Sequence, residues 1–410
     1  MKFRNLFFAG LMLLPTLANA QLIMGNAFLQ GHYLEIGMDG NGSFGACTYV
    51  PASYHPHVSF GNDLAEVYDY GHDGWTVGTP PYMGDYTYPG NPYEGWELQC
   101  TRGKVQGYQS CTGHYNISGT TMTGSITSYT HTAGRVRADW DGVTMGGDLR
   151  MNMVTYIDTE ASWVTMVVKL VNIGATPIDS IYYQRSTDPD IDETWPGGSF
   201  GNGGLIAYQN DALHRVMVSS NGVIPLSVYP YYPYFALGAI DNRAVAFCYH
   251  DWPLSLTLDL KTIYDGTAPG TVTLLGHRPS TGDNAIGIVF NLGTLNPGDS
   301  TTFSYAYIFN DSSGLDSAFL SVGTLGLPEK TSPATKFKIY PNPSSDQLNI
   351  DIENDGYSSY TLTNAMGQEM MSQPLTGNTT KVDVASLASG VYYITLRGKD
   401  GVKVEKWVKW

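Results

Sequence analysis

At 410 residues the chain is long enough for two or three domains. A hydrophobic content of 42% excludes wholesale disorder, and charged residues at 14%, against a usual value of about 25%, imply a surface that is polar rather than salt-rich. The net charge of −15 excludes DNA or another polyanion as an electrostatic partner, because no basic patch or aromatic–basic alternation offsets it.

Residues 1–20 carry Lys2 and Arg4, an apolar run over 6–14, Pro15 and the small-residue stretch Ala18-Asn-Ala20. This is the pattern of a signal peptide cleaved before Gln21. The run is shorter than the roughly 20 residues a bilayer needs. No later stretch is long and apolar enough to span a membrane, so a soluble product is expected.

From Gln21 to residue 326 the pattern is all-β: a large antiparallel sandwich under a loop-rich N-terminal layer. Strand-like runs fall at 33–36, 121–126, 151–157, 163–171, 181–183, 215–218, 244–247, 254–260, 286–290 and 301–308. Most are rich in β-branched or aromatic residues and closed by Gly, Pro, Asn or Asp. The segment Asn172-Ile-Gly-Ala-Thr-Pro177 reads as a hairpin between two of them. Residues 37–100 are instead dense in Gly, Pro, Tyr, His and Asp, and loops of that length are uncommon unless functional. Parts of this region, among them residues 28–31, 39–45 and 155–190, weakly resemble β-sandwich segments of Bacteroidetes surface proteins. That likeness names no activity.

Four cysteines in an exported chain suggest disulfides. Cys100 and Cys111 flank a short Gly-containing stretch able to close as a hairpin or loop, which leaves Cys47 with Cys248 as a long-range staple. No Cys-x-x-Cys exists to suggest zinc.

Asp188-Pro-Asp-Ile-Asp-Glu193 is the most suggestive acidic motif. Asp188, Asp190 and Asp192 at i, i+2 and i+4 project to one side of an extended segment, where their repulsion needs a cation or basic partner. Calcium suits such oxygen ligands, although the motif is no EF-hand, since Ser199 stands where the bidentate Glu belongs. A solvated acidic turn, with Arg185 neutralising part of the charge, and general acid–base catalysis remain open beside calcium. Asp39-Gly-Asn-Gly-Ser43 offers oxygens at the same spacing but also has the composition of a tight turn, and Asp139-Trp-Asp-Gly142 reads as a turn too. His55, His57 and His72 are candidates for a metal ligand or a base, without a third partner in sequence. The zinc-protease pattern His-Glu-x-x-His is absent.

Aromatic loops supply the other hypothesis. Tyr82, Tyr86, Tyr88 and Trp96, with Tyr231 and Tyr232 further on, either form a stacking platform for sugar rings or pack on one another as a substitute core. The leading expectation is a non-catalytic protein binding a glycan or matrix polymer. The rival is a secreted polysaccharide hydrolase with a carboxylate pair drawn from Asp69, Asp73, Glu94, Asp188, Asp190 or Glu193. A structural coat subunit is the third reading.

After a linker at 327–335, residues 336–410 alternate apolar and polar in short runs separated by Gly, Asn and Asp, the pattern of a small Ig-like sandwich. Tyr340-Pro-Asn-Pro343, Asn364 to Gln368 with Gly367, and Ser389-Gly390-Val-Tyr392 occur in an order and spacing that resemble the type A C-terminal sorting domain of the type IX secretion system of Bacteroidetes. The resemblance implies export through the periplasm by that machinery, to the outer-membrane surface or beyond. This tail is charge-neutral, whereas 21–333 holds 12 basic and 29 acidic residues, a net of −17. The acidity thus belongs to the cargo.

Overall fold

The computed structural model describes residues 21–45, 50–51, 53–55, 64–72, 74–75, 85–87, 94–101, 103–108, 122–132, 134–191, 202–221, 234–250, 258–268, 272–274, 277–278, 282–322, 337–352, 357–364, 369–398 and 401–410. The chain divides into two compact units, Met1–Leu325 and Gly326–Trp410. The expected signal peptide and linker lie outside the described residues. Both units are all-β.

The larger unit contains two broad antiparallel sheets. One has nine strands in the order His277–Arg278, Gly203–Gln209, Arg215–Asn221, Tyr234–Ile240, Ser300–Ile308, Trp163–Asn172, Leu149–Asp158, Arg135–Thr144 and Met122–Thr132. The other has six: Val272–Thr273, Ala244–His250, Asn284–Leu295, Ile178–Thr187, Glu94–Cys100 and Gly103–Tyr108. Their facing side chains form one core, in which Met153, Val168, Tyr183, Phe290 and Tyr305 are buried. Arg135–Thr144 alternates strictly, with Val136, Ala138 and Trp140 turned inward, as the two-residue period of a strand dictates. A smaller sheet, Gln21–Ile23, Asn26–Gln30, Leu34–Met38 and Glu66–Tyr68, supplies ordered structure to the region that reads as loop-rich.

Three local expectations need correction. Residues 172–177 do not make a hairpin, because Trp163–Asn172 pairs within the nine-stranded sheet and Ile178–Thr187 within the six-stranded one. The connector carries the chain from one layer to the other. Asn172 braces it by donating to Thr176 O at 2.9 Å and Leu295 O at 2.8 Å. Asp139-Trp-Asp-Gly142 is the middle of a strand rather than a turn. Its glycine, with Gly124 opposite in the register, leaves room for the Trp140 ring, which a Cβ at either position would strike. Leu260 opens the short helix Leu260–Tyr264, capped by the Asp259 side chain, instead of ending a strand; a nine-residue helix covers Gly314–Val322.

The smaller unit has a three-stranded sheet, Phe337–Tyr340, Gln347–Ile352 and Thr379–Asp383, and a four-stranded sheet, Glu369–Pro374, Ser359–Asn364, Gly390–Gly398 and Gly401–Lys409. Leu348, Ile350, Leu362, Ile394 and Trp407 are fully buried in its core. The Tyr-Pro-Asn-Pro motif ties the first strand to the last. Asn342 donates to Lys406 O at 2.9 Å and accepts from Val408 N at 3.0 Å, and the Trp407 indole donates to Pro341 O at 3.3 Å. Tyr340 donates to Asp351 at 2.8 Å, and Tyr392 packs on Trp407 while donating to Ala388 O. Gly390 pairs with Lys409; Gly367 lies outside the described residues.

Candidate functional site

The acidic corner follows from strand register. Ile178–Thr187 pairs antiparallel with Asn284–Leu295, Thr187 standing opposite Ile286. The end of the first strand therefore meets the beginning of the second. Asp188 and Asp190 run off one, and Asp283 immediately precedes the other. Their ligand oxygens lie within 4.8 Å of one another. Asp188 and Asp190 are 4% and 6% exposed.

Two neighbouring strands close the corner. Ala244–His250 brings His250 opposite Asn284, whose Oδ1 lies 2.8 Å from His250 Nδ1. Asn202, just before Gly203–Gln209, donates from its backbone to Gly282 O at 3.0 Å and from Nδ2 to Pro189 O at 2.9 Å. Asn284 Nδ2 in turn donates to Gly282 O at 2.9 Å and to Asn202 O. Asp190 N donates to Tyr86 O at 2.9 Å. Burial, then the charges of Asp190 and Asp283, push the Asp188 carboxyl well above the usual carboxylate range. Three carboxyl groups this close, Asp188 and Asp190 buried and Asp283 half-buried, can share a proton or share a cation.

Of the expected metal trio, Asp188 and Asp190 are brought together, Asp192 lies outside the described residues, and Asp283 takes a place that no short-range spacing announces. A Thr-Gly-Asp-Asn stretch directly ahead of the strand run at 286 was the available signal.

Arg185 does not neutralise this cluster. It turns into the core of the sandwich and forms an ion pair with Glu94 at 2.5 Å, with both side chains fully buried. Glu94 also accepts from Phe44 N at 2.6 Å and from the Tyr307 hydroxyl at 2.7 Å, while Arg185 donates to Gly42 O at 3.0 Å and lies over the Phe44 ring at 4.9 Å. Burial opposes the guanidinium charge, but Glu94 together with Tyr305, Tyr307 and Tyr183 outweighs this and holds Arg185 well above its ordinary value. Asp69 is likewise committed: its carboxylate accepts from Gly74 N and Trp75 N, both at 3.1 Å. Asp73 and Glu193 lie outside the described residues.

The Asp39–Ser43 stretch is the tight turn its composition suggests. Asp39 Oδ1 accepts from Asn41 N at 2.8 Å and from Ser43 N and Oγ at 3.2 and 3.0 Å, and Gly42 sits at φ 83°. The outward carbonyls of Gly40 and Asn41 take the indole N–H groups of Trp140 and Trp96, each at 2.9 Å.

The aromatic platform needs a correction. Tyr86 and Trp96 are 0% and 1% exposed, so neither offers a face to a polymer. Tyr86 packs on Phe235 and Phe309, and Trp96 lies edge-on to Trp140, because rings this large contribute more by filling the core. Tyr82, Tyr88, Tyr231 and Tyr232 lie outside the described residues. His55 stacks on Trp75 at 4.3 Å with Nδ1 2.8 Å from Glu35, and His72 stacks on Tyr33 at 3.7 Å; His57 is not described. The segment Gly197-Gly-Ser-Phe-Gly201 has the spacing of a nucleophile elbow, which requires a strand-to-helix turn. It leads instead into the strand Gly203–Gln209, and the segment itself lies outside the described residues.

Cys100 ends its strand opposite Gly103 at the closed end of a hairpin, and Cys248 is buried mid-strand. These two are not bonded to one another. Their expected partners, Cys111 and Cys47, lie outside the described residues.

Residues 338–409 match the family model of the secretion system C-terminal sorting domain. They form a type IX sorting domain that addresses the chain, through that machinery, to the cell surface or the outside. Among the described residues no helix is long and apolar enough to cross a membrane. Among curated proteins no match is found. A polysaccharide lyase of solved structure is similar over 80% of this chain and 40% of its own, at 10% identity and TM-score 0.25. The alpha-N-acetylgalactosaminidase of Bifidobacterium bifidum is similar over 73% and 39%, at 11% identity and TM-score 0.31. The alpha-galactosidase of Lactobacillus brevis gives 70% and 39%, at 10% identity and TM-score 0.29. The chain thus spans about two fifths of the length of each, and likenesses this loose carry no argument about activity.

Proposed function

We propose that the larger unit is a non-catalytic binding module for a glycan or matrix polymer, delivered to the cell exterior by the sorting domain. The observation that carries this reading is the fate of the carboxylates. Glu94 is locked to Arg185, Tyr307 and Phe44 N, and Asp69 caps a turn. Neither is available to protonate a glycosidic oxygen. The ligand oxygens of Asp188, Asp190 and Asp283 lie within 4.8 Å of one another, closer than the gap of about 5 Å or more that a scissile bond between two catalytic carboxyl groups needs.

Topology supports a binding end. Glu94, which follows the aromatic segment 82–93, stands opposite Thr187, and Asn221 and Tyr234, which bracket 222–233, pair with each other beside Gly203. The hydrogen bond from Asn202 to Pro189 O joins these strand ends. Tyr82, Tyr88, Tyr231 and Tyr232 therefore belong to segments that adjoin strand ends at the acidic end of the sandwich, and their rings are the ones we assign to stacking on sugar.

The test is a glycan array and a polysaccharide-depolymerisation assay on the full chain. Saturable binding without release of reducing ends is expected, weakened by Tyr88→Ala or Tyr232→Ala. Turnover of any polymer would establish the hydrolase instead, and absence of all binding would leave a structural coat role.

A further inference from the structure

We propose that Asp188, Asp190 and Asp283, with Asn202 beside them, form a divalent-cation site of calcium type. The inference stands on the corner's own geometry and goes beyond the polymer-binding reading, so either can fail alone.

The donor set is made of hard oxygens. The ligand atoms of the three carboxylates lie within 4.8 Å of one another, close enough for one cation to touch all three. Calcium tolerates an irregular set of carboxylate and carboxamide oxygens, whereas magnesium demands a near-ideal octahedron.

A second observation comes from outside the acidic cluster. Asn202 is 1% exposed, and among the described residues its side-chain oxygen has no hydrogen-bond partner. Its Nδ2 is fixed to the carbonyl of Pro189, the residue between Asp188 and Asp190, so the carboxamide lies against the acidic turn. A buried carboxamide oxygen left without a donor is costly unless something else answers it, and a carbonyl-type oxygen is a normal calcium ligand. Among the described residues Asp188 Oδ1 is also buried without a hydrogen-bond partner, and no ion pair reaches Asp188. In the same strand Arg185 is spent on Glu94, so the nearest cation in sequence is not available to the corner.

The architecture suits a structural ion. The ligands come from the end of one strand, the start of its neighbour and the start of a strand in the opposite sheet, so a bound cation would tie both layers at one end. It would also fix the point from which the chain enters residues 192–201.

The test is calorimetric titration of the full chain with calcium chloride after chelation, with magnesium chloride as a second arm, and thermal melting in each state. Saturable calcium binding is expected, with a rise in Tm of about 5 °C or more at millimolar calcium and a smaller rise with magnesium. Asp188→Asn and Asp283→Asn should each weaken calcium binding by about tenfold or more while preserving the far-UV circular dichroism spectrum. Asp316→Asn, at an exposed side chain of the helix Gly314–Val322, should leave binding unchanged. Coincident melts with no heat for the wild-type chain would overturn the proposal even if a variant failed to fold. So would retention of wild-type calcium affinity by both corner variants.

Discussion

Two buried acidic centres lie on either side of one strand end, and they are solved in opposite ways. Within Ile178–Thr187, Arg185 reaches Glu94 across the sheet, and both vanish into the core as an ion pair whose remaining donors come from Phe44 N and Tyr307. Three residues later Asp188 meets Asp190 and Asp283, like charges gathered where the strand runs out. The first centre carries its cation in the chain. The second gathers oxygens, and its buried neighbour Asn202 adds another. The contrast teaches that an acidic motif has to be judged by what stands opposite it in the sheet.

The comparison breaks most visibly at Glu94. Glu94→Ala should destabilise the larger unit by about 3–5 kcal/mol, since it strands a buried guanidinium. Coupling it with Arg185→Met should recover much of that loss. Urea unfolding of both variants checks this, and a single-variant loss below about 1 kcal/mol would contradict the buried-pair description.

A third acidic residue sharpens the picture. Asp39 binds Asn41 N, Ser43 N and Ser43 Oγ, so Asp39→Ala should cost about 2 kcal/mol through lost charge-assisted bonds. It should also perturb Trp96 and Trp140, whose indoles rest on that turn. Tryptophan fluorescence at matched denaturant reads the second effect. An unchanged spectrum would separate the turn from the core.

At the corner the sign should reverse. Asp188→Asn in chelated protein should leave stability unchanged or raise it by about 1 kcal/mol, because a neutral amide removes one of three like charges. A loss of stability there would mean that Asp188 already has a compensating partner.

The smallest effect at a single pH belongs to Glu66, a carboxyl buried, among the described residues, without a basic residue in hydrogen-bond reach. Its Oε2 accepts from Thr87 at 2.5 Å and its Oε1 has no hydrogen-bond partner among those residues. Burial, then the charges of Glu94 and Asp85, hold its carboxyl well above the usual range. A raised folded value means that its contribution is fully present below about pH 4, the unfolded carboxyl value, and is lost as pH rises through the folded value. Glu66→Gln should therefore flatten the decline in stability from pH 4.5 to 8. Parallel wild-type and variant curves would contradict that.

Much of the strand content was legible because β-branched and aromatic runs alternate with turn residues, and the tail was legible because its Tyr-Pro-Asn-Pro motif has a specific bonding role to the last strand. Layer assignment was not legible at residues 172–177: turn composition announces a change of direction without saying which sheet receives the next strand. The Asp139–Gly142 stretch misled for a related reason, since a glycine that makes room for Trp140 looks the same in sequence as one that makes a turn. Asp283 was hidden because only the register between Ile178–Thr187 and Asn284–Leu295 brings it to Asp188. Tyr86 and Trp96 looked like platform residues because abundance of rings does not reveal which way they face.

The most direct test of the contrast between the two centres is a crystal structure of the full chain grown with calcium, with anomalous data collected to locate the ion. The account predicts a peak among Asp188, Asp190, Asp283 and Asn202, with oxygens at about 2.3–2.6 Å, and none beside Glu94 and Arg185. Carboxylates bridged only by protons or water in millimolar calcium would contradict it.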